Sequence, residues 1–284
     1  MTAAVSSFPR TASWKEAASH LAQMLSTTVE ECSIKLDVDA RDLRKQMLLH
    51  LPRLEVDRLF GRDTLWHEAV RLGERLSSLQ DGYREWSKRP AIFALEKSKI
   101  EVRPCEPTVA QEIYRRFHYI GSCRDALIHI GLFDPLFPDV PFALAALSKM
   151  DILELKKLLP RDQGGDILVL SRAFAFSWAP RNSISFLLGS VHAWVRENAP
   201  GVRDLITYLN PNVGFLGSSY TAANWWPLLE TPAQYLYLND NYITYRTYLA
   251  LDESVRLEVK RSLYQLEPLR VFAYSVRTKG HGRI

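Results

Sequence analysis

The stretch from Leu209 to Trp225 reads LNPNVGFLGSSYTAANW, and it decides how the rest of the chain is interpreted. It begins at the end of an apolar run, Asp204 to Leu209, that predicts a β-strand. Ser218 to Ala223 predicts a short helix, and the residues between the two elements predict a turn. We therefore interpret this stretch as strand, turn and helix.

On both sides of that stretch, the residues from Ile100 onward alternate between predicted strands and helices. The predicted strands are residues 100–104, 125–133, 140–147, 166–174 and 204–209, and two aromatic-rich strand regions follow near the end. The predicted helices are residues 106–119, 152–159, 183–198 and 218–223. This order predicts an α/β fold with a mixed central sheet flanked by helices.

The residues before this region predict a small all-α domain. Trp14 to Leu25 has apolar residues at helical spacing, and Thr28 to Glu31 has the pattern of a capping box that opens a second short helix. Residues 64–88 predict a further helix of mixed charge. We predict a helical domain over residues 1–95 and a second domain over residues 100–284, with a linker near residues 91–99.

Residues 36–47 have the outline of a helix-turn-helix. The second helix presents Arg41, Arg44 and Lys45, but Asp39 and Asp42 add negative charge where phosphates would lie. Two interpretations stay open: a segment that reads DNA, and a helical domain for packing or protein contact.

The composition is that of a globular protein, with 47% hydrophobic and 24% charged residues. A net charge of +4 permits a nucleic-acid partner without requiring one. Cys32, Cys105 and Cys123 have no CxxC spacing, so we expect neither a disulfide framework nor a cysteine-rich zinc site. Met1 to Lys15 lacks the pattern of a signal peptide, and no apolar run reaches the roughly 20 residues of a membrane span. We expect a cytoplasmic protein.

Motifs spread over about residues 100–275 carry a family resemblance. In the opening stretch the matching residues are Pro211, Gly214, Gly217, Tyr220, Ala222, Asn224 and Trp225. Further matches, in the same order along the chain, are FHYIG at 117–121, LSR at 170–172, NSISFLLG at 182–189 and LEPLRVFAY at 266–274. Together they resemble the Mom family of phage DNA-modification proteins, within the GNAT acyltransferase superfamily. The resemblance implies a GNAT-like sheet and does not cover the helical front segment.

Two positions depart from the family pattern. The family's acidic position is Asn210 here, and its histidine is Phe215. An amide does not act as a base or bind a cation as a carboxylate does, and a phenyl ring transfers no proton. The departures leave open whether this protein keeps the family's chemistry, has changed it or has lost it.

The resemblance implies a site for acetyl-CoA or another acyl carrier. In a GNAT fold the strand that includes Val169 to Phe174 parts from its neighbour and pairs with the arm of the carrier. The start of the following helix holds phosphate. Here that start supplies Arg181, Asn182, Ser183 and Ser185, without the glycines that are usual in this loop. An ordinary capped helix with a solvated arginine is the alternative.

The resemblance also implies catalytic side chains. Tyr220 lies five residues before Trp225, which is the spacing at which a GNAT tyrosine protonates the departing thiolate, and a core tyrosine with one satisfied hydroxyl is the alternative. His118 and Tyr119 end the first predicted helix near the acceptor side. His118 is a candidate base or substrate contact, with a metal ligand and helix-end packing as the alternatives. Arg172 is a candidate partner for a substrate phosphate, with a structural carboxylate as the alternative.

Three residues are candidate substrate contacts: Asn210, Asn224 and Trp225. Trp225 has the ring needed to stack on a base that is turned out of a duplex, and a core position is the alternative. We expect no metal site, because Asn210 replaces the carboxylate that such a site would need. The other histidines, among them His129 and His192, have no ligand spacing.

The leading hypothesis is a transferase that moves an acyl or acyl-derived group onto an amine, with adenine in DNA as the candidate acceptor. A second hypothesis keeps the fold and makes the protein a CoA-dependent or aminoacyl-tRNA-dependent transferase that acts on a small molecule. A third is a non-catalytic DNA-binding or protein-binding protein. The sequence leaves the oligomeric state open.

Overall fold

The computed structural model describes residues 13–89, 96–122, 125–150 and 167–276. In chain order its helices are α1 (Trp14–Leu36), α2 (Ala40–His50), α3 (Val56–Leu59), α4 (Arg62–Gln80), α5 (Arg84–Ser87), α6 (Pro107–Phe117), α7 (Ser183–Asn198), α8 (Ser218–Ala222), α9 (Tyr245–Leu249) and α10 (Glu253–Arg256). Its strands are β1 (Glu101–Pro104), β2 (Ile128–Phe133), β3 (Ala143–Lys149), β4 (Ile167–Ala175), β5 (Asp204–Leu209), β6 (Trp226–Thr231), β7 (Leu236–Leu238), β8 (Asn241–Ile243), β9 (Lys260–Arg261) and β10 (Leu269–Ser275). The predicted helix at 152–159, most of the predicted linker and Cys123 lie outside the described residues.

Contacts divide the chain into two compact units that are discontinuous in sequence. Unit 1 comprises Met1–Asp81, Asn210–Leu216 and Glu230–Leu269, and unit 2 comprises Gly82–Leu209, Gly217–Leu229 and Arg270–Ile284. The division into domains at residues 95–100 stays a prediction.

Unit 1 joins the front helices to a three-stranded sheet of order β8-β7-β9. The β7–β8 hairpin turns through Asn239 and Asp240, whose φ angles of 50° and 59° fit the tight turn that matches the twist of paired strands. The buried Tyr237 hydroxyl donates to the Leu49 carbonyl at 2.9 Å. Trp14, only 1% exposed, donates from its indole to the carbonyl of Asn212 at 3.4 Å. These bonds connect segments that are almost 200 residues apart in the chain.

Helix α1 is one continuous helix of 23 residues, so the predicted start of a second helix at Thr28 is wrong. The buried residues continue along α1 from Trp14 to Ser33, and Thr28 is one of them. The neighbouring Thr27 hydroxyl donates to the Gln23 carbonyl one turn earlier, so this hydroxyl has a hydrogen-bond partner within the helix. Burial of one continuous face therefore outweighs the local capping pattern.

The predicted helix-turn-helix outline corresponds to α1, a short turn and α2. Asp37 ends α1 in the left-handed conformation with φ of 53°. Asp39 caps α2 by accepting from the backbone N–H groups of Arg41 and Asp42 at 2.8 and 3.3 Å. Lys45 pairs with Asp42 at 3.1 Å. These acidic residues thus have structural roles in α2, and DNA reading by this segment stays a prediction.

Unit 2 is built on the larger sheet, whose strand order is β1-β2-β3-β4-β5-β10-β6. The pairs β1–β2, β2–β3, β3–β4 and β5–β10 are antiparallel, and β4–β5 is parallel. The expected fold class, a mixed central sheet flanked by helices and preceded by a helical segment, is confirmed. Both α7 and β5 have the predicted bounds. Within the described ranges, no helix has the length and apolar character needed to cross a membrane.

Candidate active site

Strands β4 and β5 pair over only part of their length. Their parallel ladder joins Ile167 to Asp204, Leu168 to Leu205 and Val169 to Ile206. Beyond this ladder β4 continues to Ala175 against β3, and β5 continues to Leu209 against β10. Each strand therefore stays paired with its other neighbour, β3 or β10, beyond the point where the described pairing between β4 and β5 ends. An opening of this kind offers backbone donors and acceptors to an extended ligand.

Thr207 and Tyr220 lie at the point where the two strands part. Thr207 is the first residue of β5 beyond the ladder, and its hydroxyl donates to the Leu170 carbonyl at 2.9 Å. The Tyr220 hydroxyl is hydrogen-bonded to the Thr207 side chain. Burial raises the pKa of Tyr220 to about 12, and the bond to Thr207 offsets part of that rise. The phenol therefore keeps its proton at neutral pH.

The position of Tyr220 depends on Gly217. Gly217 precedes α8 with a φ of 96°, a conformation that side chains other than glycine rarely adopt. A Cβ there would lie 2.8 Å from Cζ of Phe272 and 3.2 Å from Cδ1 of Leu209. The Tyr220 ring in turn packs 6.1 Å from the Phe272 ring. Both backbone angle and space therefore require glycine one turn before the phenol.

The five-residue spacing from Tyr220 to Trp225 has a structural reason. The Trp225 backbone N–H donates to the Tyr220 carbonyl at 3.0 Å, and the two rings meet edge to face at 5.5 Å. Asn224 follows α8 with a φ of 62°, a left-handed position that asparagine tolerates. Trp225 is 2% exposed, so stacking on a base would require its ring to leave this position. The substrate roles of Asn224 and Trp225 stay predictions.

A β-bulge decides which way Arg172 faces. Arg172 pairs with Ala146, whereas Leu170 pairs with the next residue of β3, Leu147. Because neighbouring side chains of a strand alternate between faces, Arg172 and Leu170 face opposite sides of the sheet. Ala146 also pairs with His129 on β2. His129, Ala146 and Arg172 thus form one row on one face.

The predicted catalytic residues are divided between the two faces of the sheet. Thr207 and Leu170 each come one residue after the last pair of the parallel ladder, so their side chains share a face. Tyr220 bonds to Thr207 on that face. Arg172 occupies the other face. Tyr220 and Arg172 are therefore on either side of the sheet near the parting strands.

On the Arg172 face, the loop after α6 contains His118 and Tyr119. Arg172 donates to Ser122 in this loop, from Nε to the carbonyl at 2.9 Å and from Nη2 to the hydroxyl at 3.4 Å. His118 is 8% exposed, and its Nδ1 accepts from the backbone N–H of Ile120 at 3.2 Å. That bond assigns the ring proton to Nε2. The structure thus connects Arg172 directly to the loop of His118 and Tyr119.

The start of α7 has features that suit an anion. Asn182 takes a left-handed conformation with φ of 67°, which is the role that a loop glycine usually has, and its side chain makes no capping bond. Ser183 is buried, and its hydroxyl donates to the Pro180 carbonyl. Arg181 is exposed beside the helix start, and Ser185 lies in its first turn. A 16-residue helix without a side-chain cap and with an adjacent arginine fits a phosphate group.

Asn210 belongs to unit 1, and its side chain has partners there. Its Nδ2 donates to the Tyr235 hydroxyl at 2.9 Å, and its Oδ1 accepts from the backbone and side chain of Asn212, both at 3.1 Å. These bonds cap the short 3-10 turn Pro211–Val213. Asn210 therefore has a structural role, and its role as a substrate contact stays a prediction.

Two polar residues of unit 2 were not predicted from the sequence. Thr207 was passed over, although the strand pattern of residues 204–209 fixes which of its residues share a face. His129 lines a cavity of about 410 Å³ between α6 and the start of β2. Its Nδ1 is buried and has no hydrogen-bond partner in the described part of the chain. No spacing in the sequence indicates this site, because only the folded chain brings His129 close to α6.

The described residues include no group of three or more histidine, cysteine, aspartate or glutamate side chains that is arranged to hold a metal ion. Cys32 and Cys105 are free and buried. Burial raises the pKa of Cys105 to about 12, which keeps this thiol protonated and unreactive near neutral pH.

Comparison with known proteins gives one family and several distant structures. The model of the Mom protein family matches residues 99–274. The crystal structure of Arabidopsis thaliana NAA60 in complex with acetyl-CoA is 12% identical, with a TM-score of 0.40, and the alignment covers 63% of this chain and 99% of that one. An N-acetyltransferase from Staphylococcus aureus Mu50 is 14% identical, with a TM-score of 0.36 and the same coverage. No curated protein matches the chain.

Proposed function

The chain belongs to the Mom protein family, and on that premise we propose that it transfers an acyl or acyl-derived group from an acyl carrier to an amine, with the exocyclic amine of adenine in DNA as the acceptor. The observation that carries the proposal is the Tyr220 phenol, bonded to Thr207 where β4 and β5 part. We place the reaction in the cytoplasm.

The donor side of the proposed site is the start of α7 and the free edge of β4. Arg181 and the N–H groups of the first turn, with Ser185 among them, would hold the phosphates of a carrier such as acetyl-CoA. Ser183, whose hydroxyl is bonded to Pro180, keeps the turn in place. The bound carrier supplies a thioester that is reactive toward amines. The edge of β4 beyond Val169 would orient the arm of the carrier between the parting strands.

Tyr220 acts as the proton donor to the departing sulfur. In the overall change a C–N bond forms, the C–S bond breaks and the thiolate gains the phenolic proton. The amine loses a proton to solvent, and the Tyr220 phenolate regains a proton from solvent before the next cycle. The raised pKa makes Tyr220 a weaker acid than a free phenol. The same burial also raises the pKa of a thiol held beside it, so the two values stay closer than the change at Tyr220 alone suggests.

His118 and Arg172 organise the acceptor side. The Nδ1 of His118 is engaged by Ile120, so this tautomer offers the proton on Nε2 as a donor to the substrate. Arg172 holds Ser122 and thereby shapes the loop that includes Tyr119. We therefore assign His118 and Tyr119 to substrate contact in preference to general base catalysis.

The charge distribution supports a nucleic-acid acceptor. Unit 2 contains 21 of the 36 lysine and arginine residues and 14 of the 32 acidic residues, which gives it a net charge of +7. Unit 1 has a net charge of −3 by the same count. An excess of positive charge on the unit that holds the proposed site favours a phosphate-rich substrate.

Mass spectrometry of nucleosides tests the proposal. DNA from cells that express the protein should contain a modified adenosine that is absent from cells expressing Tyr220→Phe. Tyr264→Phe, a second buried tyrosine in the other unit, is the matched control and should retain the modification. Unmodified DNA with the wild-type protein would contradict the choice of acceptor.

A small-molecule acceptor with a CoA or aminoacyl-tRNA donor is the second candidate. Its aminoacyl-tRNA form is favoured by Asn182, because a side chain at the position where GNAT carrier loops have glycine leaves less room for the pyrophosphate of CoA. Analysis of co-purified RNA and acyl carriers separates the candidates. Aminoacylated tRNA bound to the purified protein would favour this second candidate.

A further inference from the structure

The cavity between α6 and β2 lies on the Arg172 face of the sheet, apart from the residues assigned to the donor. It measures about 410 Å³, within the size range of small-molecule sites. Gln111 and Arg115 line it from α6, and Ser122 and Asp125 line it from the loop that follows. His129 contributes to the lining from β2.

His129 is the unusual member of this lining. It is 5% exposed, and its Nδ1 has no hydrogen-bond partner within the described residues. Buried polar atoms are normally satisfied, because an unmet hydrogen bond costs about 1–3 kcal/mol. Burial also lowers the pKa of His129, so its imidazole is neutral at pH 7 and has a lone pair that can accept. A half-turn of the His129 ring about its Cβ–Cγ bond exchanges Nδ1 with Cδ2 and Nε2 with Cε1. Either ring nitrogen can therefore face a ligand in the cavity.

The charges around the cavity favour a donor group on the ligand. Arg115 is already paired with both carboxylate oxygens of Glu112, at 2.7 and 2.8 Å. Asp125 has no ion-pair partner among the residues that the structure describes. The lining thus offers an unpaired carboxylate and a neutral imidazole, both of which accept hydrogen bonds. A protonated amine satisfies both acceptors at once.

We propose that this cavity binds a small molecule through a primary amine, with His129 and Asp125 as the groups that accept its hydrogen bonds. The site lies in the same row as Arg172, two strands and therefore about 10 Å away between Cα atoms. Arg172 also reaches Ser122, which lines the cavity. The inference goes beyond the proposed function, because binding of an amine requires no acyl transfer.

Nitrogen NMR of the histidine rings in the full-length protein is the direct test. Ethylamine, acetate and acetamide are probes of similar size that differ in charge. Ethylamine should shift the His129 ring signals in a saturable way, whereas acetate and acetamide should leave them unchanged. Equal shifts with all three probes, or no shift with ethylamine, would overturn the proposal.

Three variants identify the groups responsible. His129→Phe should weaken ethylamine binding at least 10-fold, because it removes a hydrogen bond to a charged group. Asp125→Asn should weaken it about 3- to 5-fold, as expected for a solvent-exposed ion pair. Glu197→Gln, an exposed carboxylate on α7 in the same unit, is the control and should have no effect. Unchanged affinity in both His129→Phe and Asp125→Asn contradicts the assignment.

His129→Phe should also melt at the same or a higher temperature than the wild type, because it removes an unsatisfied polar atom and keeps the ring contact with Tyr114. If that variant does not fold, Asp125→Asn still tests the site, because Asp125 is exposed. Acyl transfer that persists without amine binding refutes this inference and leaves the proposed function intact. Amine binding without any acyl transfer does the reverse.

Discussion

Two buried tyrosines, one in each compact unit, differ in what surrounds the same chemical group. Tyr220 in unit 2 is 9% exposed and Tyr264 in unit 1 is 6% exposed, and burial raises the pKa of each to about 12. The Tyr220 hydroxyl bonds to Thr207 beside the parting strands. The Tyr264 hydroxyl has no partner among the described residues, and its ring packs against Trp14 at 5.6 Å. A raised pKa therefore reports burial, and only the neighbours of Tyr220 suggest chemistry.

Replacing these two tyrosines should give the largest contrast. Tyr220→Phe removes the proposed proton donor, so the rate of acyl transfer should fall about 100- to 1000-fold, in the range of general acid catalysis. Steady-state kinetics with the identified acceptor, or the yield of modified nucleoside over time, measures this loss. Tyr264→Phe should leave the rate unchanged, because its hydroxyl has no hydrogen bond to any residue that the structure describes.

Equal activity of the two variants would remove Tyr220 from the mechanism. Measuring the free energy of unfolding of Tyr220→Phe tests whether the lost rate is caused by unfolding of the variant. Tyr220→Phe deletes one hydrogen bond and should cost only about 1 kcal/mol of stability. A much larger loss of stability would mean that the effect on rate reflects unfolding.

The backbone before Tyr220 offers the next largest effect. Gly217→Ala combines a strained φ of 96° with a Cβ that lies 2.8 Å from Phe272, so it should lower the free energy of unfolding by about 2–3 kcal/mol. Urea denaturation measures the change. Gly189→Ala is the matched control, since Gly189 lies within α7 and its added Cβ would have no described atom within 4 Å beyond the adjoining residues and the helix backbone. That control should be neutral or stabilising by up to about 1 kcal/mol.

Thr207 should have a smaller effect that acts through Tyr220. Thr207→Val keeps the shape and removes the hydroxyl, which should raise the pKa of Tyr220 further because the hydrogen bond with the Thr207 side chain lowers it. We expect the rate to fall about 5- to 10-fold, the equivalent of one ordinary hydrogen bond. Kinetics and ultraviolet titration of the tyrosines test both expectations. Thr221→Val in α8 is the control, and a loss as large in that variant would argue against a specific role for Thr207.

The elements that the sequence predicted well are those with a clear local pattern. The bounds of α7 and β5 were predicted correctly, because each has an uninterrupted apolar periodicity. The break predicted at Thr28 was wrong, since a local capping pattern does not reveal that α1 buries one face along its whole length. The bond between Tyr220 and Thr207 links two elements, and their pairing depends on a ladder that stops at Val169. The spacing of residues in the sequence does not show where this pairing ends. The family resemblance pointed to Tyr220 but not to its partner, Thr207.

Alkaline pH should distinguish the same two tyrosines by their effect on stability. A tyrosine whose folded pKa is about 12 stays neutral while the unfolded chain ionises near pH 10, so its contribution is complete below pH 10 and is lost between about pH 10 and 12. Each such residue makes the free energy of unfolding fall by about 1.4 kcal/mol per pH unit within that window.

Tyr264→Phe should make this slope shallower by about 1.4 kcal/mol per pH unit. It should cost almost no stability at pH 8, because the hydroxyl it removes is unsatisfied. Tyr220→Phe should reduce the slope equally but start from a lower stability, since it gives up the bond to Thr207. Urea denaturation of the wild type and both variants between pH 8 and 11.5 measures these differences. Identical slopes in all three proteins would show that neither phenol is held neutral by burial.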